Sequence, residues 1–107
     1  MVSVNTFRKL ARSFPGVTEQ PHFEKTSFRV KKKIFATLSQ AEKKAVLKLP
    51  EIDQSVFCSF DKTIIYPVAG GWGKQGWTVV ELSKVKLGML KDALSVAYNT
   101  VSAKKKS

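Results

Sequence analysis

The feature that most constrains the fold is a glycine- and tryptophan-rich stretch at residues 67–78. It contains both tryptophans and four of the six glycines of the 107-residue chain, with Lys74 among them. β-rich segments flank it at residues 63–66 and 78–82. The pattern predicts a hairpin loop between two strands, with Trp77 packed in the core and Trp72 as the better candidate for stacking on a ligand.

The same stretch has some likeness to a phosphate-binding loop. Such a loop ends in Gly-Lys-Ser/Thr and opens a helix, whereas Lys74 is followed by Gln75 and a β-rich segment. It is therefore not a nucleotide-hydrolysis motif. Two interpretations of the glycines remain. In the first, the glycine amides form an anion-binding concavity beside Lys74. In the second, which we favour, the glycines permit a tight chain reversal while the tryptophans pack against the core.

Apolar residues at helical spacing predict three helices. Residues 3–14 form the first, with Ser3 as N-cap, and residues 84–102 form the last, with Ser83 as cap and Leu87 on the apolar face. A short helix is predicted at residues 51–59, with a strand at residues 56–58 as the alternative. Its apolar stripe consists of Ile52, Val56 and Phe60.

Alternating polar and apolar residues predict the strands. Three lie at residues 26–30, 34–38 and 44–49, and β-rich composition adds two at 63–67 and 76–82. Residues 17–25 are predicted to be a loop. In this pattern Arg29 faces away from Phe28, and Phe35 faces away from Ala36. The turn of the first hairpin consists of Lys31, Lys32 and Lys33.

Grouped strands with flanking helices predict an α+β fold. We expect a single antiparallel sheet of about five strands with the N- and C-terminal helices packed on it. The length predicts a single domain, residues 1–107, in which residues 103–107 form a basic tail.

Charge is the main departure from an ordinary globular composition. Nineteen Lys and Arg against eight Asp and Glu give a net charge of +11. Removing the three tail lysines leaves 11 − 3 = +8 on the folded part. A field of this size attracts polyanions, although a soluble, like-charged surface with no specific partner explains it too. Lysines outnumber arginines sixteen to three, which suits contact with phosphates better than the reading of base edges.

Residues for catalysis or metal binding are sparse. The chain has one histidine, His22, and one cysteine, Cys58. No motif ties either to a nucleophile or a base, and Cys58 beside Phe57 and Phe60 is typical of a core residue. We therefore predict no enzyme, no cofactor and no metal. The lone cysteine, the lack of a membrane-length apolar run and the N-terminal composition predict a cytoplasmic protein with no membrane contact.

Several segments together resemble the MmcQ/YjbR family. They are Phe-Pro-Gly-Val-Thr-Glu at 14–19, Phe-Arg-Val at 28–30, Lys-Lys-Ile-Phe-Ala-Thr-Leu at 32–38, and the 67–78 stretch with the strand and helix after it. The resemblance spans residues 4–101. The resemblance implies a compact α+β fold with two projecting hairpins, described as a double wing. It also implies DNA binding, since the family is labelled DNA-binding. The wings would be the 31–33 turn and the 70–77 loop. No established catalytic residues come with the family. Where many members have Asp-Gly after the last strand, this chain has Ser83-Lys84.

From these features the sequence predicts a small non-enzymatic nucleic-acid-binding domain, with DNA as the expected polyanion and little sequence specificity. The expected contacts are Lys31, Lys32, Lys33, Arg29, Lys74 and Trp72. The alternative is a protein-interaction or adaptor domain that uses Trp72 as a docking patch. We expect a monomer or a weak dimer.

Overall fold

The protein is described here by a computed structural model that covers residues 2–22 and 25–102. The side chain of His22 and the basic tail at 103–107 lie outside the described residues, so the expectations about them stay predictions. In chain order the elements are α1 (Val4–Arg12), β1 (Thr18–His22), β2 (Lys25–Val30), β3 (Lys33–Ser39), β4 (Lys44–Lys48), α2 (Glu51–Phe60), β5 (Ile65–Pro67), α3 (Gly71–Lys74), β6 (Trp77–Glu81) and α4 (Leu87–Ser102).

One antiparallel sheet organises the chain, which confirms the α+β prediction. Its strand order is β1-β2-β3-β4-β6-β5. The β2–β3 and β5–β6 hairpins lie where the sequence predicts them. Helices α1 and α4 cover one face of the sheet. Ring contacts such as Phe7 on Phe28 (centroids 5.6 Å apart) join α1 to β2, and Leu90, Ala93 and Leu94 of α4 are buried in the same core.

The sheet has a sixth strand where the sequence predicted a loop. Residues 18–22 pair with β2 from Thr18 opposite Arg29 to His22 opposite Lys25. The strand is polar and contains Pro21, features that favour a sheet edge because an edge strand can leave an N–H position unpaired. Because its residues are nearly all polar, the strand lacks the alternation of polar and apolar residues that predicted the other strands.

A β-bulge corrects the predicted orientation of Phe35. Phe28 pairs with Ala36 and Arg29 pairs with Ile34, so Phe35 is an extra residue on β3. Phe35 and Ala36 are both fully buried. A bulge resets the two-residue alternation, and here it turns Phe35 into the core. There its ring contacts the edges of Phe14 and Tyr98, which themselves stack at 4.6 Å.

The helix boundaries and one helix face differ from the sequence expectation. Helix α1 begins after Ser3, whose Oγ accepts from the Thr6 amide at 3.1 Å, so the predicted cap is confirmed. Helix α4 begins only at Leu87, because the amides of Lys84 and Val85 both donate to the Glu81 carbonyl in a turn. Leu87, expected on the apolar face, is 44% exposed.

Helix α2 lies where the sequence predicts a short helix, and it presents its apolar stripe to solvent. Ile52 is 77% exposed, Val56 63% and Phe60 71%. The side that packs on the sheet carries Gln54 and Cys58 instead. The stripe has helical spacing, but helical spacing shows only that apolar residues share a face, and that face points outward here. Within the described residues, no helix is long and apolar enough to cross a membrane.

Candidate nucleic-acid interface

Both predicted hairpin tips lie at the same end of the sheet. The strands are antiparallel neighbours, with Val30 opposite Lys33 at one tip and Pro67 opposite Thr78 at the other. Strand β4 ends at Lys48, opposite Trp77, and so fixes both tips at one end. Three strand intervals of about 4.8 Å separate the two hairpins, which gives roughly 14 Å.

The first tip, here called the lysine turn, consists of Lys31, Lys32 and Lys33. Lys31 has φ 53° and Lys32 has φ 70°, the left-handed values of a two-residue type I′ hairpin turn. Asn and Gly normally occupy these positions, because glycine has no Cβ to be strained there and the short polar side chain of asparagine can hydrogen-bond locally. All three lysines are exposed. Lys31 Nζ donates to the Ser102 carbonyl at 2.8 Å, at the negative end of α4, whereas Lys32 and Lys33 extend the tip beyond it.

The second tip, here called the tryptophan loop, is residues 70–77. It contains the single turn α3, in which Trp72 is 61% exposed and Lys74 is exposed. Gly76 has φ +106°, and a Cβ there would lie 2.0 Å from the Leu49 carbonyl oxygen. A close backbone approach therefore requires this glycine. The chain-reversal role of the glycines is confirmed, but Trp72 does not pack against the core.

The anion-binding concavity considered for the tryptophan loop finds no support in its hydrogen bonds. The amides of Gly73, Gln75 and Gly76 all donate to carbonyl groups within residues 70–73. These donors are therefore already satisfied. Positive charge in the loop comes from the Lys74 side chain.

Trp77 lies on the face of the sheet opposite the core, which corrects the prediction that it is packed inward. In β6 the buried residues are Thr78 and Val80, so Trp77 alternates to the other face. Its cross-strand partner is Lys48. Lys48 Nζ lies 5.3 Å from the centroid of the Trp77 ring and donates to the Gln75 carbonyl at 2.5 Å. The pair is a cation–π contact directly below the tryptophan loop.

This second face is open and carries a depression of about 230 Å³, here called the open-face cleft. Side chains from five neighbouring strands line it, from Lys25 on β2 to Tyr66 on β5. Basic groups dominate the face: Arg29 Nε donates to Ser27 Oγ at 3.2 Å, and Lys44 borders the cleft. The residues that define the cleft are Lys25, Thr37, Ser39, Glu42, Lys44, Val46, Tyr66, Val68 and Val79.

The acid of β6 on this face, Glu81, is engaged by two neighbours, whereas a second acid, Glu42, lines the cleft from the turn between β3 and β4. The Tyr66 hydroxyl donates to its carboxylate, and Lys44 Nζ lies 3.5 Å from the same oxygen. The hydrogen bond to Glu81, followed by burial, raises the pKa of Tyr66 above its ordinary 10.0. The pKa of Lys44 is raised by the charges of Tyr66 and then Glu81. The Glu81 charge is thus compensated by Lys44 within the sheet, so the net charge of the face depends on Lys25, Arg29 and Lys48 against Glu42.

Comparison with known proteins gives the family. A family model described as YjbR matches residues 12–100. The chain belongs to the YjbR family. Its fold is similar to the crystal structure of Deinococcus radiodurans protein DR2400, with family-model domain DUF419. The TM-score is 0.85 at 22% identity, over 100% of this chain and 83% of that chain. At that identity the likeness shows the YjbR fold alone. No curated protein matches the sequence closely enough to count as a relative.

Metal-ligating side chains do not come together in the described part of this YjbR domain. There, no three His, Cys, Asp or Glu side chains are close enough to hold a metal ion. Cys58 is a free, buried thiol, as expected, and burial raises its pKa. Its neighbourhood therefore favours the protonated thiol over the reactive thiolate.

Proposed function

We propose that this YjbR domain is a small non-enzymatic nucleic-acid-binding module that holds phosphates at the end of the sheet formed by the two hairpin tips. The observation that carries the proposal is the conformation of Lys31 and Lys32. Both adopt left-handed backbone angles at which Asn-Gly would be less strained. Strain retained at an exposed tip is a reason to look for function there.

The rest of the tip end supports the same function. Lys32, Lys33 and Lys74 are exposed on two hairpins about 14 Å apart, and Trp72 lies exposed between Gly71 and Gly73. Lysine ammonium groups neutralise phosphates without reading base edges, so the expected binding is tolerant of sequence. DNA is the expected polyanion, with RNA as the second substrate to test.

A matched pair of variants tests this proposal. Lys32→Gln with Lys33→Gln removes two charges from the lysine turn, and Lys84→Gln with Lys86→Gln removes two from the segment after β6, at the opposite end of the sheet. Fluorescence anisotropy with labelled mixed-sequence DNA and RNA measures affinity at low salt. We expect about tenfold weaker binding or more for the tip variant and a much smaller loss for the control. Equal losses would contradict a localised interface.

The second candidate function, protein docking through Trp72, is favoured by the exposed apolar stripe on α2. Helix α2 is anchored to the tryptophan loop through Gln54, whose Nε2 donates to the Gly73 carbonyl at 2.9 Å. The helix contains Glu51 and Asp53 but no Lys or Arg, in a chain of net charge +11. An exposed apolar patch with local acidic charge fits a basic amphipathic helix as its partner.

A synthetic Lys/Leu amphipathic peptide and its scrambled isomer test the docking proposal by titration calorimetry. We expect the ordered peptide alone to bind, and binding to fall when Trp72→Ala or Val56→Gln is introduced. Sedimentation velocity on the protein alone tests whether a second copy of the chain binds this patch. A concentration-dependent dimer that Val56→Gln disperses would identify a second copy of the chain as the partner instead.

A further inference from the structure

The open face of the sheet carries chemistry that the hairpin tips do not use. We propose that this face, with Trp77 and the open-face cleft, is a stacking surface for single-stranded nucleic acid. The inference rests on the proposed function, because it extends the same interface from the sheet end onto the adjoining face. It names the substrate class as unpaired strands, whose bases are free to stack.

The first argument is the arrangement of aromatic and basic groups. Trp77 on β6 and Tyr66 on β5 share the open face, since Tyr66 pairs with Val79, two residues from Trp77. Such diagonal neighbours are about 7–8 Å apart. Lys48 lies against the Trp77 ring and Lys44 beside the cleft. Aromatic rings for bases next to ammonium groups for phosphates are the arrangement by which single strands are held.

The second argument is charge complementarity. Arg29 on β2 and Lys44 and Lys48 on β4 alternate with the buried residues of their strands and so lie on this face, and Lys25 borders the cleft. The carboxylate of Glu81 is compensated by Tyr66 and Lys44. A polyanion that crosses the strands therefore meets the positive charges of β2 and β4, which outnumber the further carboxylate of Glu42 at the cleft. The lysine turn and Lys74 continue that positive charge at the end of the sheet.

The third argument is shape. The cleft is a depression of about 230 Å³ on a sheet face five strands wide, partly enclosed and open to solvent on one side. A groove of this kind accommodates a flat base and an extended backbone. A rigid duplex keeps its bases stacked in the helix interior and exposes its phosphates. Its phosphates can therefore contact the lysines of the hairpin tips, but its bases cannot stack on Trp77 or enter the cleft.

The two tryptophans allow a direct test. Trp72→Phe leaves Trp77 on the open face as the single tryptophan, and Trp77→Phe leaves Trp72 in the tryptophan loop. Each single-tryptophan protein is titrated with a twelve-nucleotide oligo(dT), which forms no duplex, and with a twelve-base-pair mixed duplex. We expect oligo(dT) to quench Trp77 emission strongly and the duplex to leave it nearly unchanged.

A charge-matched pair separates this face from general electrostatics. Lys48→Met removes the ammonium group over Trp77, and Lys91→Met removes an exposed one on α4, which covers the opposite face of the sheet. Both are made in the Trp72→Phe background. We expect Lys48→Met to weaken oligo(dT) binding about fivefold or more and Lys91→Met to change it less than twofold. Trp77→Ala should weaken it about tenfold, and circular dichroism checks that the fold is retained.

The outcomes distinguish this inference from the proposed function. Quenching of Trp77 by oligo(dT), with a larger loss for Lys48→Met than for Lys91→Met, supports the stacking surface. Tight binding with unchanged Trp77 emission and equal effects of the two methionine variants overturns it and leaves the tip interface intact. Absence of binding to either nucleic acid at low salt overturns both.

Discussion

Gln54 Nε2 donates to the carbonyl oxygen of Gly73 at 2.9 Å and to Thr78 Oγ1 at 3.1 Å, so one buried side chain joins α2 to the tryptophan loop and to β6. A further contact reaches the Trp77 carbonyl at 3.3 Å. The amide group thus donates to oxygen acceptors that the loop and β6 leave inside the protein. The contact thus ties α2 to the loop that carries the exposed Trp72 and Lys74.

Replacing this glutamine should destabilise the protein. Gln54→Leu removes the donor but keeps the volume, and buried acceptors that lose a partner cost about 1–3 kcal/mol. We expect the free energy of unfolding, measured by urea titration, to fall by that amount. Gln75→Leu, the same change at an exposed position, is the control and should have little effect. Equal effects of the two substitutions would contradict the anchoring role of Gln54.

Replacing the strained lysines of the lysine turn should raise the stability of the protein and lower its affinity for nucleic acid. Lys31→Asn with Lys32→Gly places the preferred residues at the two left-handed positions, and relief of strain at two positions should raise the free energy of unfolding by about 1 kcal/mol. The same variant loses two ammonium groups, one of them the donor to Ser102, and should bind nucleic acid several-fold more weakly. Urea titration and anisotropy measure the two effects. A gain in both stability and affinity would contradict the functional interpretation of the strain.

The apolar stripe on α2 should be nearly neutral for stability. Ile52, Val56 and Phe60 are mostly exposed, and surface substitutions usually change stability by about 0.5 kcal/mol or less. We expect Val56→Gln and Phe60→Gln to leave the urea midpoint almost unchanged. Leu94→Ala, in the buried face of α4, should cost about 2–5 kcal/mol. A loss above about 1.5 kcal/mol for either glutamine variant would show that the stripe is covered by the protein itself.

Tyr66 should titrate above its ordinary pKa of 10.0. Its hydroxyl donates to Glu81, so the folded state holds the proton more tightly than the unfolded state does. The resulting stabilisation is present below the ordinary pKa and is lost as pH rises through the raised one. Tyr98→Phe leaves Tyr66 as the only tyrosine, and phenolate absorbance follows its titration. Adding Glu81→Gln should lower the midpoint, and an unchanged midpoint would contradict the assigned cause.

The sequence predicted most of the sheet because alternation and turn residues are local signals. It failed where the decisive factor is a partner far along the chain. The bulge that buries Phe35 depends on how β3 is aligned with β2. The edge strand at residues 18–22 forms because β2 provides a strand to pair with, and its own sequence has no apolar alternation. For α2, burial of Gln54 is set by acceptors in residues 73–78, which local periodicity does not reveal.

The candidate interface was predicted in part. The exposure of Lys32, Lys33 and Lys74 follows from their places in turns. The prediction that Trp77 packs in the core was wrong. It was made because a large aromatic residue at the start of a strand usually favours the core. The correcting signal was present, since Glu81 is in phase with Trp77 along β6, whereas Val80 is in phase with the core.

The salt dependence of nucleic-acid affinity tests the central claim most directly. Anisotropy titrations with oligo(dT) from about 50 to 200 mM salt give the slope of log K against log salt concentration. Contact with four or more phosphates predicts a slope of about −3 or steeper for a single strand, and Lys32→Gln with Lys33→Gln should make it shallower by about 1.4. A slope near zero, or no detectable binding at 50 mM salt, would contradict the account.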